Sequence, residues 1–122
     1  MLFNAHKKTI NTLQATITQQ AGLLDAIDRS MAVIEFDLQG TVLRANENFL
    51  KAMGYTADQV VGQSHRLFCT PAFARSAEYG QLWTHLRNGQ FQSGTFERLT
   101  GAGQPIWLEA SYNPVRDASG NV

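Results

Sequence analysis

The chain has little of several features that would assign it to a specialised class of protein. One cysteine among its 122 residues cannot form an internal disulfide, so a reducing compartment, the cytoplasm, is expected. Ten basic and ten acidic residues give zero formal net charge, which provides no field to attract nucleic acid or an anionic membrane. No apolar run approaches the roughly 20 residues of a membrane span, and no signal peptide opens the chain. We therefore expect a cytoplasmic domain without a nucleic-acid partner and without membrane insertion.

Catalytic motifs are missing as well. The sequence contains no Ser/His/Asp order of recognised spacing, no glycine-rich phosphate loop and no Cys/His metal pattern. Glu97 and Glu109 are placed to face each other across two strands, but such carboxylate pairs are common on protein surfaces. These observations predict a protein that is not an enzyme and that has no metal site.

The first feature that is present is a long amphipathic helix over residues 2–29. Its a and d heptad positions carry six apolar residues and two polar ones, Phe3, His6, Ile10, Leu13, Ile17, Gln20, Leu24 and Ile27. A pattern of about four heptads indicates a two-stranded coiled coil, in which polar a or d residues fix the register. The alternative is an amphipathic helix that folds back on its own domain. We predict a homodimer formed through this helix.

Residues 30–122 alternate between strand-like and helix-like texture. Two apolar runs around a "LQG" turn predict a β-hairpin. Asn46 is placed to cap a helix that Gly54 ends, and Thr56 a second helix that Gly62 ends. Short helices are expected over residues 64–87, followed by the strands "QFQSGTFERLT" and "PIWLEASYNPV" around a tight turn. The order predicts an α+β fold, an antiparallel sheet with helices packed on one face.

These residues resemble a known family. The stretch "NENFLKAMGYTADQVVG" resembles the PAS signature, and residues 78–120 resemble the second half of PAS domains in bacterial methyl-accepting chemotaxis receptors and energy (aerotaxis) sensors. The resemblance, over residues 30–122, implies a five-stranded antiparallel sheet around a small cavity. The last strand of the family would follow Val122, so we expect it to be truncated here and the chain to be part of a longer receptor.

The resemblance also implies a function. Residues 30–122 would be the sensor and residues 1–29 the dimerisation helix of a chemotaxis signal transducer, which binds a small ligand or cofactor and passes the signal to a downstream signalling domain of the same receptor. Two alternatives stay open. One is a cofactor-free PAS interaction module, and the other is the input domain of a histidine kinase or of a cyclic-dinucleotide enzyme.

Candidate cofactors follow from the family, and each is in doubt. His65 stands where light-oxygen-voltage domains hold their flavin-reactive cysteine, and Cys69 lies one helical turn later, so adduct chemistry is not expected. Flavin-binding aerotaxis receptors hold FAD with polar residues that align with Cys69, Thr70 and Ala72 here, which lack those groups. Trp83 matches a tryptophan of those receptors, but a large aromatic residue also fills a core.

Haem is the second candidate cofactor. Cys69 takes the place of an axial histidine, and a thiolate can ligate haem iron. His85 lies roughly where another haem-binding group has its histidine. The ordinary alternatives are a buried apolar Cys69 and a surface histidine at residue 85. Asn46, Trp107 and Asn113 complete the candidate ligand-binding residues, and the cofactor stays open between haem, FAD and none.

Overall fold

A computed structural model describes the backbone of residues 2–122 and the side chains from residue 7 onward. Helix α1 spans Leu2–Ser30, which confirms the helix predicted over residues 2–29. The side chains of two predicted heptad residues, Phe3 and His6, lie outside the described part. Among residues 2–122, no helix is both long and apolar enough to cross a membrane.

The apolar stripe of α1 does not fold back on the domain. Five described a and d residues leave more than a third of their surface open to solvent, namely Ile10, Leu13, Ile17, Leu24 and Ile27, with Leu24 at 66%. The structure therefore disagrees with the alternative of an amphipathic helix packed on its own domain. An exposed stripe of this length is typical of a surface that covers itself by association.

The predicted hairpin follows α1. Strand β1, Ile34–Phe36, pairs antiparallel with β2, Val42–Ala45. The carboxylate of Asp37 accepts hydrogen bonds from the backbone N–H groups of Gln39 and Thr41, both at 2.9 Å. A side chain that satisfies its own turn in this way fixes where the hairpin reverses.

Five short helices lie between the hairpins. The elements are α2 (Glu47–Met53), α3 (Ala57–Val60), a 3₁₀ helix (His65–Phe68), α4 (Pro71–Ala74) and α5 (Ala77–Arg87). The caps predicted at Asn46, Gly54 and Thr56 are confirmed, whereas the C-cap of α3 is Val61, one residue before the predicted Gly62. The Asn46 side chain accepts from the N–H of Phe49, and Gly54 closes α2 in the left-handed conformation with φ 73°. At α3, the Gln59 side chain accepts from the N–H of Thr56.

The second hairpin provides the largest pleated surface. Strand β3, Gln92–Leu99, pairs antiparallel with β4, Pro105–Tyr112, in unbroken register from Gln92 opposite Tyr112 to Leu99 opposite Pro105. Side chains of β4 alternate between half-buried and exposed. Ile106, Leu108 and Tyr112 are half-buried, whereas Trp107 and the other odd-numbered residues of the strand are exposed.

The sheet differs from the continuous five-stranded sheet that the PAS resemblance implies. Residues 2–122 contain four strands, and these form two separate two-stranded sheets rather than one continuous sheet. The reason is that no strand among the described residues bonds to both hairpins. The core lies between the hairpins and the helices, with one part around Val42, Met53, Val60 and Phe68 and the other around α5. Phe36 packs against both parts and joins them.

The turn between β3 and β4 is fixed against the end of α2, which generates a stability prediction. The N–H of Gly101 donates to the carbonyl oxygen of Met53 at 2.8 Å, and a Cβ at Gly101 would collide with the carbonyl oxygen of Gly54. We expect Gly101→Ala to lower the free energy of unfolding by about 1–3 kcal/mol, because backbone atoms must move apart.

Gly80 is the matched control, since it lies on the exposed face of α5 with nothing within 4 Å of a built Cβ. Gly80→Ala is expected to raise the free energy of unfolding by about 0.5–1 kcal/mol through helix propensity. Urea unfolding followed by tryptophan fluorescence measures both. A Gly101→Ala variant as stable as Gly80→Ala would contradict the close approach.

Candidate functional site

His65 is the centre of the candidate site. Its ring is 2% exposed at the start of the 3₁₀ helix, and its backbone N–H donates to the carbonyl oxygen of Gly40 at 2.8 Å. The ring Nδ1 lies 3.2 Å from the hydroxyl of Tyr79, and Nε2 lies 3.0 Å from the hydroxyl of Tyr112. One imidazole therefore connects the 3₁₀ helix to α5 and to β4.

A buried arginine extends this network. Arg98 of β3 is 3% exposed, and its Nε and Nη2 donate to the Tyr112 hydroxyl oxygen at 3.3 and 2.9 Å. Because that oxygen accepts two N–H groups, its own hydrogen is left to donate to Nε2 of His65. The network thereby assigns the imidazole proton to Nδ1, which donates to Tyr79. Hydrogen bonds thus run in one direction from Arg98 through Tyr112 and His65 to Tyr79.

Aromatic rings enclose His65. Ring centroids lie 5.2–6.1 Å from the imidazole, and only one ring is stacked, that of Tyr79; the others meet the imidazole edge to face, namely Phe36, Phe68, Trp83 and Tyr112. The indole N–H of Trp83 is buried without a hydrogen-bond partner. Burial raises the pKa of the Tyr79 hydroxyl, and the nearby indole N–H of Trp83 offsets part of that rise.

The electrostatics of the cluster favour neutral side chains. Burial, together with the nearby positive charges of Arg98 and Arg66, lowers the pKa of His65 to about 3. Burial raises the pKa of the Tyr112 hydroxyl and of the Cys69 thiol. At neutral pH the cluster therefore holds an uncharged imidazole, an uncharged thiol and one fixed cation, the guanidinium of Arg98.

The fold and this buried cluster can be compared with known proteins. A family model for the PAS fold matches residues 42–122, which is more than half of the chain. The chain belongs to the PAS family. The α+β fold predicted from the sequence is confirmed, since the PAS domain of a Colwellia psychrerythraea protein superposes with a TM-score of 0.72, at 21% identity and over 87% of each chain.

Two relatives of this PAS domain stand out in sequence. Over 99 residues it is 52% identical to the biofilm dispersion protein BdlA of Pseudomonas aeruginosa. The aligned region covers 81% of this chain and 24% of BdlA. Over 79 residues it is 29% identical to the aerotaxis receptor of Escherichia coli, 65% of this chain and 15% of that receptor. The chain therefore spans about a quarter or less of the length of these relatives.

Three predicted site residues of the PAS domain come together. His65, Cys69 and Trp83 all belong to the buried cluster, and the Cys69 sulfur lies 3.5 Å from Nδ1 of His65. Cys69 is 4% exposed, which agrees with the alternative of a small buried residue. A thiol with a raised pKa is a weak nucleophile and a poor metal ligand until it loses its proton.

The side chain of Asn46 makes hydrogen bonds to the backbone rather than contacts with a ligand. Its Oδ1 accepts from the N–H groups of Val33 and Phe49, both at 2.9 Å. Its Nδ2 donates to the carbonyl oxygens of Asp28 and Met31 at 3.0 and 2.7 Å. All four bonds are to backbone, so this side chain joins the end of α1 to β1 and α2.

The other three predicted residues lie away from the cluster. His85 is exposed and bonds to Gln90, and Asn113 is exposed beside Ser111. Trp107, a candidate ligand-binding residue, is 66% exposed because odd-numbered residues of β4 point outward. His85 and Trp107 instead border a surface groove beside β3.

Sequence reasoning missed the other half of the PAS cluster, Tyr79, Arg98 and Tyr112. The signal for Tyr112 was its place on the apolar side of the alternating strand β4. Arg98 lies on the inner side of β3, opposite Ile106, and a lone arginine at an inward position marks a charge with a specific task.

The arrangement does not fit haem or FAD. Both ring nitrogens of His65 already have hydrogen-bond partners, so iron ligation would require one tyrosine to leave. Tyr79 stacks on the imidazole, and the rings of Phe36, Trp83 and Tyr112 meet it edge to face, so side chains of the chain itself occupy the surroundings of His65 that a flat cofactor would need. Among the described side chains, from residue 7 onward, no group of three or more His, Cys, Asp or Glu residues is placed to hold a metal ion.

The neutral His65 generates a pH prediction. Its pKa in the folded PAS domain is about 3, against 6.5 in an unfolded chain, so between these values only the unfolded chain binds the proton. Stability is therefore full above pH 6.5 and is lost as the pH falls. We expect the free energy of unfolding to fall by up to about 1.4 kcal/mol per pH unit below that value.

His65→Gln removes this titration and should flatten the profile between about pH 6.5 and 5, whereas His85→Gln, at the exposed histidine, should leave it as in the wild type. Urea unfolding at a series of pH values measures each slope. Equal slopes for the wild type and His65→Gln would show that the buried ring does not titrate as expected.

Proposed function

We propose that this PAS domain is the sensory input domain of a chemotaxis receptor and is not an enzyme. The observation that carries the proposal is the 52% identity with BdlA over 81% of the chain, with weaker similarity to an aerotaxis receptor. Both relatives are several times longer than the matched region, which leaves room for a downstream signalling domain in a protein of this kind. The free cysteine supports a cytoplasmic location.

The proposed output element is a homodimer formed by α1, with residues 1–29 as the dimerisation helix and residues 30–122 as the sensor. The support is the exposed a and d stripe, in which Leu13 is 57% exposed and Ile17 is 64% exposed. Two such helices would bury these side chains against each other in a coiled coil, and paired helices can transmit small rotations or shifts.

The contacts between α1 and the cluster support a path for the signal. Asn46 and Asn48 both donate to backbone carbonyl oxygens at the end of α1. Phe36, at the end of β1, lies edge to face against both His65 and Trp83. A rearrangement of the cluster would therefore move β1, and β1 is bonded through Asn46 to the helix.

A second candidate function is a cofactor-free interaction module. The observation that favours it is the close packing of the chain's own rings around His65, at the place where PAS relatives hold cofactors. The two candidates share the dimer and differ in whether the domain responds to a ligand.

The dimer has a direct test. Light scattering after size exclusion should give twice the mass of one chain at high micromolar concentration. Leu13→Glu should lower the mass to that of one chain, because a buried charge at a d position costs several kcal/mol. The matched control is Gln19→Glu, which places the same charge on the outer side of the helix and should leave the dimer intact.

Deletion of residues 1–28 should also give a monomer that still unfolds cooperatively. A wild-type chain that is monomeric at this concentration would contradict the proposed output element, and so would a Leu13→Glu variant that remains a dimer.

The misfit to haem and FAD has a spectroscopic test. The purified protein is expected to show neither the blue flavin band nor the haem Soret band, including after incubation with free FAD or hemin followed by desalting. Retention of either cofactor at one molecule per chain would mean that the aromatic cluster opens. The domain would then be favoured as a cofactor-binding sensor.

A further inference from the structure

Arg98 is a buried cation without an anionic partner. It is 3% exposed, and the four ion pairs among the described side chains involve only Arg29, Arg44 and Lys51 as cations. Burial of a charge costs free energy unless an opposite charge and hydrogen bonds compensate it. Arg98 therefore lowers stability at the inner side of β3 to the extent that its surroundings leave the charge uncompensated.

The surroundings of Arg98 compensate its charge only in part. The guanidinium carbon lies 5.0 Å from the ring centre of Phe96 and 5.3 Å from that of Phe73, distances at which rings attract cations. Nε and Nη2 donate to Tyr112, and Nη1 donates to the carbonyl oxygen of Glu97. These are three of the five N–H groups of an arginine, so one on each terminal nitrogen is left for a further acceptor.

The guanidinium borders a groove of about 510 Å³ between β3 and the helices α4 and α5. The groove has an apolar wall formed by Phe73, Leu82 and Phe96, and its volume lies in the range of small-molecule sites. Glu78 and Glu97 also border it, and neither forms an ion pair with Arg98 in the described part of the chain. Their charges oppose any anion and oppose a dianion about twice as strongly as a monoanion, so a ligand held by Arg98 alone is expected to carry no more than one negative charge.

The geometry points to a binding site for a small monocarboxylate with an apolar body, held by the guanidinium of Arg98 and by the apolar wall of the groove. The two free N–H groups suit the two oxygens of one carboxylate. The carbon part of the ligand would cover Phe73, Leu82 and Phe96. This inference deepens the proposed sensory function by naming a ligand class, and it rests on that proposal only for the role of the ligand as a signal.

Hydrogen bonds connect the proposed carboxylate site to the buried cluster around His65. Arg98 donates to the oxygen of Tyr112, and Tyr112 bonds to His65. A carboxylate that turns the guanidinium toward the groove weakens the bonds to Tyr112 and changes how that hydroxyl meets the imidazole. Occupancy of a surface groove is thereby transmitted to the buried ring that joins three elements.

The test uses benzoate as the probe and benzamide as its neutral analogue of the same shape, with the 122-residue chain in calorimetry and in amide NMR titrations. We expect saturable benzoate binding, with benzamide weaker by about tenfold or more because it lacks the charge. Succinate, with two charges, should also bind more weakly than benzoate. Equal binding of benzamide, or equal binding of sulfate, would overturn the monocarboxylate site.

The matched variants are Arg98→Met and Arg66→Met. Methionine can fill the arginine site without a charge, so the first variant is expected to fold and to lose benzoate binding by about tenfold or more. Arg66 is exposed and lies over Tyr79 outside the groove, so its variant should bind as the wild type does. Unchanged benzoate binding by Arg98→Met would overturn the assignment.

The wild-type titration keeps the inference testable if Arg98→Met fails to fold. Benzoate should shift the amide signals of Phe73, Leu82 and Phe96 more than those of α1, and shifts elsewhere alone would overturn the site. The dimer is measured separately. A dimer without benzoate binding contradicts this inference and leaves the proposed receptor function standing, whereas a monomer that binds benzoate contradicts the dimeric output element and leaves this inference standing.

Discussion

The structure depends on one imidazole that must remain uncharged. His65 accepts from Tyr112 and donates to Tyr79, and each of these contacts belongs to a different element of the fold. A proton on the ring would turn its acceptor into a donor that meets the Tyr112 hydroxyl hydrogen, and it would set a second cation beside Arg98 in a site that burial has already removed from water. The 3₁₀ helix, α5 and the second hairpin are therefore joined by the imidazole of His65. Its neutral form depends on burial and on the nearby positive charges.

Arg98 affects both the protonation of His65 and the direction of the hydrogen bonds in this cluster. Its charge helps to hold the imidazole in the neutral form, and its N–H groups decide which way the hydrogen of Tyr112 points. Packing of this core needs no such cation, since Leu82, Trp83 and Leu86 supply apolar contact on their own. The buried charge thus makes the core responsive to an anion, at a cost in stability that an apolar residue would avoid.

Local features of the sequence were sufficient for most of the elements. The caps at Asn46 and Gly54 and the alternation along β4 each depend on residues a few positions apart, so the helix and strand positions could be predicted. The site could be predicted only in part, because Tyr112 lies 47 positions from His65 and only the folded chain brings them together. Alternation also defines two faces of a strand without telling which is inward, which is why Trp107 could be a candidate ligand-binding residue although it is exposed, and why Arg98 was overlooked.

The joint at the end of α1 has a mechanical consequence. Carbonyl oxygens at the end of the helix accept hydrogen bonds from the side-chain amides of Asn46 and Asn48, and these bonds rather than apolar packing hold the end of the helix. Hydrogen bonds tolerate small changes of angle better than interlocked side chains do. The helix has 29 residues and is about 43 Å long, so a tilt of about 5° at the joint displaces its far end by about 4 Å. A small tilt about this joint would therefore produce a displacement several times larger at the first turn of α1 than beside Phe36.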